Sequence, residues 1–412
     1  MGATAREEAG AVAGLIPAQS AAQIVVVGGG LAGTLAAVVL ARAGHDVALI
    51  DLHAVYPPDF RAEQLVGGQL ELLRGLGVLE GLVGGAAPAG CAVDARFGRV
   101  VGREESPHYG LRYDAMVKAA REMLPPSVRL LIGRVTDVRA EAGYQVVALA
   151  SGKIVRTRLV VMATGPGRAL SHKLGIGRRI IREHHSLAVG FDIEPGPGRS
   201  YDCPVLVYHG ERVRDRIDYL SVFPLGEGMR ANLFAYWHLR DERTEAMRKG
   251  PAETLAAALP GLRAFLGEFR AIGSVQVRTN HLYAAEDYRR EGIVLIGDAF
   301  RMSCPAAGTG VDRLLTDIDR LCNVHVPDWL ASPGMDAAKI GRFYDDPVKR
   351  VCDAEAAHRA EYRRAAATEA TLPWRLHRLH VHLRRRMRAR LTAASSRLSP
   401  PAPPPSAPLL RS

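Results

Sequence analysis

Residues 24–51 contain the feature that most constrains how this chain can fold: two short apolar runs separated by a glycine-rich turn. Residues 24–27 are all β-branched, which is typical of a strand buried on both faces of a sheet. Gly28, Gly30 and Gly33 follow with G-x-G-x-x-G spacing. In a strand–turn–helix, the first glycine permits the sharp turn, the second lets the backbone approach a pyrophosphate, and the third lets the helix pack closely on the strand. The pattern predicts a βαβ unit that binds a dinucleotide.

The end of the second apolar run supports this interpretation. Residues 47–50 form that run, and Asp51 follows it directly. A carboxylate at this point can accept hydrogen bonds from the ribose hydroxyls of a dinucleotide. The free N–H groups and the positive dipole end of the intervening helix would face the phosphates. An ordinary βαβ unit without a ligand is the alternative, and the combined spacing favours the dinucleotide site. The segment resembles the N-terminal ADP-binding element of flavoproteins.

A second glycine-rich stretch lies far downstream, at residues 292–321. The apolar run at residues 293–296 predicts another buried strand, and Gly297-Asp298-Ala299 predicts a sharp turn at its end. Alone, Asp298 would ordinarily be an N-cap or a surface acid. With Pro305, Gly308 and Gly310, however, the stretch resembles the G-D-A-x-x-x-x-x-P-x-x-G-x-G motif of class A flavin monooxygenases. The resemblance implies that Asp298 binds the ribityl chain and that the following helix directs its N-terminus at the flavin ring, where charge grows on reduction.

Three positions between the two motifs resemble further parts of the p-hydroxybenzoate hydroxylase family. Arg61 lies in a segment that in this family approaches the ribityl–phosphate part of the flavin, and Arg112 is the nearest match to a cofactor-contacting residue at the start of a later helix. Ala163-Thr164-Gly165 replaces the usual Ala-Asp-Gly, so direct use of NADPH is left open. The FAD-contacting residues that the resemblance implies are Gly28, Gly30, Leu31, Ala32, Gly33, Asp51, Arg61, Arg112, Val135, Thr164, Gly165, Gly297, Asp298, Pro305, Gly308, Thr309, Gly310 and Val311.

The predicted fold class is α/β: a FAD-binding Rossmann-like domain of the glutathione reductase type, a mixed β-sheet substrate domain and a C-terminal helical region. The expected division is a disordered arm (1–21), the FAD-binding domain (22–180 and 276–325), the substrate domain (181–275), the helical region (326–392) and a disordered proline-rich tail (393–412). Within the first domain, the leucines at positions 65–76 suggest a helix. Runs at residues 128–132, 135–138, 144–149 and 153–157 suggest a β-meander, and residues 159–163 suggest a separate strand.

Composition excludes several classes of protein. The chain has 412 residues, of which 48% are apolar and 24% charged, and it has no apolar run long enough to cross a membrane. The first 20 residues lack the features of a secretory signal. The five cysteines, which include Cys203, have no metal-ligand spacing and indicate reduced thiols of a cytoplasmic protein. No metal site is expected.

The formal net charge is +11, and much of the excess positive charge lies in the C-terminal region. Residues 374–390 are strongly basic, with interleaved leucine, valine and methionine. A solvated helix whose apolar stripe docks on the protein is one interpretation, and a helix that touches an anionic membrane surface is another. No motif supports nucleic-acid binding.

The family resemblance implies a function. NAD(P)H would reduce FAD, O₂ would add to give a C4a-(hydro)peroxyflavin, and one oxygen atom would pass to an apolar or aromatic small molecule. The residues give no catalytic base: each histidine and tyrosine on the expected pocket sheet is more often packed or exposed than catalytic. These residues are His184, His185, Tyr208, Tyr219, Tyr236 and His238. A prenyl-type reductase or dehydrogenase, and a non-catalytic FAD-holding partner at a membrane, remain alternatives. A flavin halogenase is disfavoured because the W-x-W-x-I-P signature is absent: no W-x-W pair occurs.

Overall fold

The computed structural model describes residues 19–86, 88–196 and 205–398. Most of the predicted N-terminal arm, the proline-rich residues after position 398, and Cys203 lie outside the described residues. The strands are β1 (Gln19–Val27), β2 (Val47–Asp51), β3 (Ala62–Val66), β4 (Ala92–Arg96), β5 (Arg99–Glu104), β6 (His108–Arg112), β7 (Arg129–Ile132), β8 (Val135–Glu141), β9 (Tyr144–Leu149), β10 (Ile154–Met162), β11 (Gly177–Pro195), β12 (Leu206–His209), β13 (Ile217–Leu225), β14 (Gly228–Ala235), β15 (Phe269–Glu286) and β16 (Ile293–Leu295).

The α-helices lie mostly at the two ends of the chain. They are α1 (Leu31–Arg42), α2 (Gly68–Gly75), α3 (Leu79–Val83), α4 (Tyr113–Glu122), α5 (Ala169–Lys173), α6 (Glu242–Lys249), α7 (Pro251–Ala258), α8 (Arg263–Leu266), α9 (Gly310–Ile318), α10 (Val326–Ala331), α11 (Ala337–Asp345), α12 (Pro347–Thr368) and α13 (Leu372–Leu398).

The first sheet carries the two glycine-rich motifs. Its order is β7-β2-β1-β10-β9-β8, and β16 pairs with β10. The pairs β7–β2, β2–β1, β1–β10 and β10–β16 are parallel. Ile24, Val25 and Val26 of β1 are 0% exposed, as expected for a parallel strand covered on both faces. Because the carboxyl ends of parallel strands meet at one edge, the turns after β1, β10 and β16 converge there.

Three local expectations are corrected in this domain. The run at residues 128–132 is β7, which pairs in parallel with β2 rather than joining the antiparallel meander. The runs at 153–157 and 159–163 form one strand, β10, because no breaker separates them; its first half pairs with β9 and its second half with β16. Leu65 lies in β3, paired with β6, and the helix begins only after the positive φ of Gly67.

The second sheet is a broad, largely antiparallel layer with the order β15-β11-β14-β13-β12-β4-β5. It includes β4 and β5, which end at Glu104, long before β11 begins at Gly177. One face packs Leu187, Leu220 and Leu233 against Met247 of α6 and Leu255 of α7. The opposite face turns toward the flavin motif, so the sheet provides one wall of a shared space. The division of the chain into domains given above remains a proposal.

Candidate cofactor and substrate site

The glycines of the first motif have two different roles in the structure. Gly28 has φ of 107°, and a Cβ there would lie 2.8 Å from the carbonyl carbon of Ala163 and 3.2 Å from Cα of Thr164. A Cβ on Gly33 would lie within the radius of the Gly28 carbonyl oxygen and 3.0 Å from Cβ of Ala163. A Cβ on Gly30 would meet nothing within 4 Å. Gly28 and Gly33 are therefore required by packing within the chain, whereas Gly30 leaves a space that a ligand can approach.

The carboxylate of Asp51 closes the motif. One of its oxygens accepts a hydrogen bond from the backbone N–H of Gly29 at 2.6 Å, and the other accepts one from His53 N at 2.8 Å. The residue keeps partial exposure next to the glycine turn. Two carboxylate oxygens offer about four acceptor positions, so capacity remains for a ribose hydroxyl.

Arg121 is the residue of this region that the sequence analysis missed. Its guanidinium lies 3.0 Å from Asp51 and donates hydrogen bonds to the carbonyl oxygen of Gly29 at 2.8 and 3.1 Å. Arg112, the predicted contact, is instead exposed and forms an ion pair with Asp114 at 3.4 Å. An arginine in the last turn of α4 gave no motif signal, and only the packing of α4 on α1 brings Arg121 to the loop.

The second motif meets the first in space. A Cβ placed on Gly297 would lie 3.5 Å from Cβ of Ala32 in α1. The backbone N–H of Gly297 donates to Asp317 Oδ2 at 2.8 Å, which fixes the turn after β16. The two loops thus lie in contact, as the prediction of a single dinucleotide required. Leu31 is buried at the start of α1, and Val311 is half-buried at the start of α9. Gly165 has a φ of 58° in the turn after β10. Val135 begins β8, which lies at the opposite edge of the first sheet from β7.

Charged side chains gather where the ribityl chain is expected. Burial raises the pKa of Asp298 above its usual value, against the opposing effect of Arg313, Arg61 and Arg278. Arg61 forms a bidentate pair with Asp59 and stacks 3.7 Å over the ring of Tyr113. Arg61 is close enough to Asp298 to act on its pKa, which agrees with a role near the cofactor.

Glu63 is a further acid in this group that the sequence analysis did not single out. It lies on β3, on the same face as Arg61, and burial raises its pKa. Asp298 raises the pKa further, and Arg61 and Arg278 oppose the shift. The group therefore combines acids and arginines at the junction of both sheets.

Two buried hydroxyl groups provide a test of whether the loops fit FAD. Thr164 Oγ1 and Thr309 Oγ1 have no hydrogen-bond partner within the described part of the chain. Buried hydroxyls are nearly always bonded, so a ligand is the natural partner for both. Thr309 immediately precedes α9, whose free N–H groups and positive dipole end point the same way. Together with the open space at Gly30, these groups fit a dinucleotide with a flat, electron-accepting ring.

The acid near the start of α9 is bound by a side chain of α2. Asp312 Oδ2 accepts a hydrogen bond from the side-chain amide of Gln69 at 3.0 Å. The same amide nitrogen lies 3.4 Å from the carbonyl oxygen of Gly308, whose φ of 66° allows the sharp turn after Pro305. Gln69 thus links the flavin loop to α2.

The substrate side of the groove is apolar and aromatic. Cys304, Ala306, Ala307 and Leu282 are buried in one cluster with Ala360 of α12. Tyr219 and Phe234 of the second sheet pack on this cluster, with ring centroids 4.9 Å apart. The loop that carries Pro305 therefore packs on the second sheet mainly through apolar contacts.

Two buried side chains on the second sheet have unpaired polar atoms. His185 is 0% exposed and neither ring nitrogen has a partner within the described residues; Asn280 is 2% exposed and its side-chain nitrogen has none. Burial, together with Arg364 and Arg182, lowers the pKa of His185 to about 4, so the ring is neutral near pH 7. Asn280 pairs with Ser186 across β15 and β11, and Ser186 Oγ lies 3.8 Å from Cys304 Sγ.

The other tyrosines and histidines of the expected pocket sheet lie in three different places. Tyr236 lies beside His185, and its hydroxyl donates to Asp218 at 3.1 Å. Tyr208 is packed on the opposite face of the sheet, where its hydroxyl donates to Glu211. His184 and His238 are exposed and lie beside each other.

Comparisons with known proteins point to the same cofactor. A family model described as FAD binding domain matches residues 21–323. Ubiquinone hydroxylase UbiL of Rhodospirillum rubrum is 27% identical over 340 residues, which cover 73% of this chain and 71% of that protein. Digeranylgeranylglycerophospholipid reductase 1 of Methanopyrus kandleri is 27% identical over 310 residues, which cover 71% of this chain and 77% of that protein.

A solved structure shares the fold. p-Nitrophenol 4-monooxygenase PnpA from Pseudomonas putida DLL-E4 superposes with a TM-score of 0.72 at 18% sequence identity. The match covers 90% of this chain and 94% of that one. The likeness therefore extends beyond residue 323 and into the C-terminal helices.

Proposed function

This chain belongs to the FAD-binding domain family, and on that premise we propose that it is a FAD-dependent monooxygenase which transfers one oxygen atom of O₂ to an apolar or aromatic small molecule. FAD is its cofactor, and NAD(P)H is the proposed reductant. The observation that carries the proposal is the buried apolar and aromatic cluster between the Pro305 loop and the second sheet, which adjoins the contact between the two glycine motifs. The ubiquinone hydroxylase relative and the p-nitrophenol monooxygenase fold support it.

The residues of the chain would divide the work between the cofactor and the substrate. Gly30, Asp51, Thr164, Asp298 and Thr309 would hold FAD, which when bound supplies the transfer of electrons to O₂. The N-terminus of α9 would stabilise negative charge on the ring.

The substrate side would act mainly by position and by exclusion of water. The buried cluster of Cys304, Ala306, Ala307 and Leu282 would keep water from the reacting atoms. Asn280 and the neutral ring of His185 would offer hydrogen bonds to an uncharged oxygen of the substrate.

The experiment that tests this function uses the purified yellow protein. We expect aromatic or quinone-like compounds to stimulate NAD(P)H oxidation, and ¹⁸O₂ to place one labelled oxygen atom in the product. A reaction without substrate provides the control for uncoupled oxidation. Bound flavin with no turnover on any compound, with and without a partner reductase, would instead favour a non-catalytic FAD-holding role.

A prenyl-type reductase is the second candidate, and one observation favours it. Thr164 occupies the position at which the monooxygenase pattern has aspartate, and the relative from Methanopyrus kandleri is a reductase of comparable similarity. A product that has gained two hydrogens and no oxygen, formed equally well without O₂, would establish this alternative.

The outer face of α13 supports peripheral contact with a membrane. Its exposed large apolar residues fall on one stripe of the helix: Leu372, Leu376, Leu379, Leu383 and Met387. Residues 370–412 contain nine arginines and no acid. An apolar stripe that faces away from the protein and is flanked by positive charge fits the surface of an anionic bilayer. No helix within the described residues is long and apolar enough to span a bilayer. We propose that this cytoplasmic enzyme docks on a membrane through α13.

Vesicle sedimentation tests the membrane proposal. The double variant Leu379→Glu/Leu383→Glu is expected to reduce binding to phosphatidylglycerol vesicles at least about tenfold, because each buried leucine contributes ~1.5–3 kcal/mol. Val348→Glu/Val351→Glu, which changes two exposed valines of α12, is the matched control and should bind as the wild type does. Equal binding by all three proteins would contradict the proposal.

A further inference from the structure

A basic cleft opens beside α13, away from the two glycine motifs. It lies between the end of β12, the start of β13, and the inner faces of α12 and α13. Arg212, Arg363, Arg378, His377 and His382 are among its lining residues, and Asp218 is the one acid among them. The charge of the cleft is therefore strongly positive.

The one acid that lines the cleft already has two hydrogen-bond partners within the protein. Asp218 Oδ2 accepts hydrogen bonds from Arg363 Nε at 2.9 Å and from the hydroxyl of Tyr236 at 3.1 Å. One carboxylate thus compensates Arg363 only. Arg212 and Arg378 form no ion pair with any acid that the structure describes.

Arg212 has no bound partner. Its guanidinium makes no hydrogen bond or ion pair with any described residue, although it is half-buried on the cleft wall. Arg378 donates one hydrogen bond, to the carbonyl oxygen of Ala366 at 3.1 Å. Burial and the nearby Arg375 lower the pKa of Arg378, and a bound anion would reverse this effect. Two guanidinium groups are thus available on opposite walls.

The size and lining of the cleft select the ligand. Its cavity volume is about 100 Å³, which at ~15 Å³ per water on the same measure accommodates a group of several heavy atoms. Arginine forks match the oxygens of a phosphate, and charged walls in a recess concentrate anions. Val101, Ile217 and Val381 add apolar surface to the same cleft. We propose that this cleft is a binding site for the phosphate group of a small organic molecule, held by Arg212 and Arg378.

Two sources could supply such a phosphate: a lipid headgroup, delivered at the membrane face of α13, or the 2′-phosphate or pyrophosphate of a nicotinamide dinucleotide. The floor of the cleft, Asp218 and Arg363, contacts Tyr236 and Tyr219 of the substrate wall. A ligand in the cleft would therefore lie next to the proposed substrate space, whichever source applies.

Calorimetric titration of the holoprotein tests the site in phosphate-free buffer. The probes are inorganic phosphate, NADP⁺, and dihexanoyl phosphatidic acid below its micelle concentration. We expect at least one organic phosphate to bind, and Arg212→Gln or Arg378→Gln to weaken it about tenfold or more, since each removes a charge-assisted hydrogen bond. Arg248→Gln is the matched control: it removes the same charge from an exposed position on α6, which does not line the cleft, and should leave the affinity unchanged.

The pattern among the probes identifies the source. Preference for the lipid assigns the site to a headgroup, and preference for NADP⁺ assigns it to the reductant. The proposal is overturned if no phosphate binds, or if Arg248→Gln weakens binding as much as the two cleft variants do. Should Arg378→Gln lower the melting temperature, Arg212→Gln alone decides, because the Arg212 side chain bonds to none of the residues that the structure describes.

Discussion

Gly30→Ala is expected to leave the protein folded while weakening FAD binding about ten- to a hundredfold, whereas Gly33→Ala should destabilise the fold itself by about 3 kcal/mol. The reason is the surroundings of each added Cβ. At position 33 it would overlap the Gly28 carbonyl oxygen and lie 3.0 Å from Cβ of Ala163, so strand, turn and helix would have to separate. At position 30 it would meet no atom of the chain within 4 Å and would project into the space assigned to the cofactor.

The two variants are measured in the same way. Urea denaturation of the apoprotein gives the free energy of unfolding, and quenching of flavin fluorescence gives the FAD affinity. Gly44→Ala is a useful reference, since its Cβ also meets nothing within 4 Å but its φ of 89° adds backbone strain without touching the cofactor loop. If Gly30→Ala bound FAD as tightly as the wild type, the first glycine loop would not be where the pyrophosphate lies.

Lys349→Met is expected to lower the free energy of unfolding by about 3–5 kcal/mol, because it leaves a buried carboxylate without its cation. Lys349 is 1% exposed, and its amino group lies 2.5 Å from Asp317 Oδ1 and 3.2 Å from Asp353 Oδ2. Burial acts to raise the pKa of Asp353, but Arg313 and Lys349 outweigh it and hold that pKa below its usual value. Since Asp317 also fixes Gly297, the substitution should weaken FAD binding too.

Two further variants separate the buried ion pair from lysine removal in general. Lys249→Met removes an exposed lysine whose pair with Glu245 is on the surface, and it should change stability little. Adding Asp317→Asn to Lys349→Met should recover part of the loss, because it removes the uncompensated charge. If Lys349→Met unfolded at the same midpoint urea concentration as the wild type, the pair of Lys349 and Asp317 would not be what holds α12 against the flavin motif.

Local patterns in the sequence predicted the cofactor half of the molecule well. The β-branched residues 24–27, the spacing of Gly28, Gly30 and Gly33, and the turn at Gly297 are each set by short-range geometry, so they carry the βαβ unit and the flavoprotein resemblance, both confirmed. Leu65 and the run at residues 128–132 were assigned wrongly, since a short apolar run does not reveal which strand it pairs with.

Residues that reach the candidate site only through long-range packing could not be predicted from the sequence. Arg121 reaches Asp51 only because α4 packs beside α1, and the unpaired atoms of His185 and Asn280 have meaning only once β11, β15 and the Pro305 loop enclose them. The basic stretch after residue 373 left two orientations open, and the structure turns its leucine stripe outward. By itself, then, the sequence determined the dinucleotide fold, because backbone turns and buried strands depend on neighbours in the chain. Tertiary structure alone decided which arginine, lysine and histidine lie at the candidate site, because those contacts join residues that are far apart in the sequence.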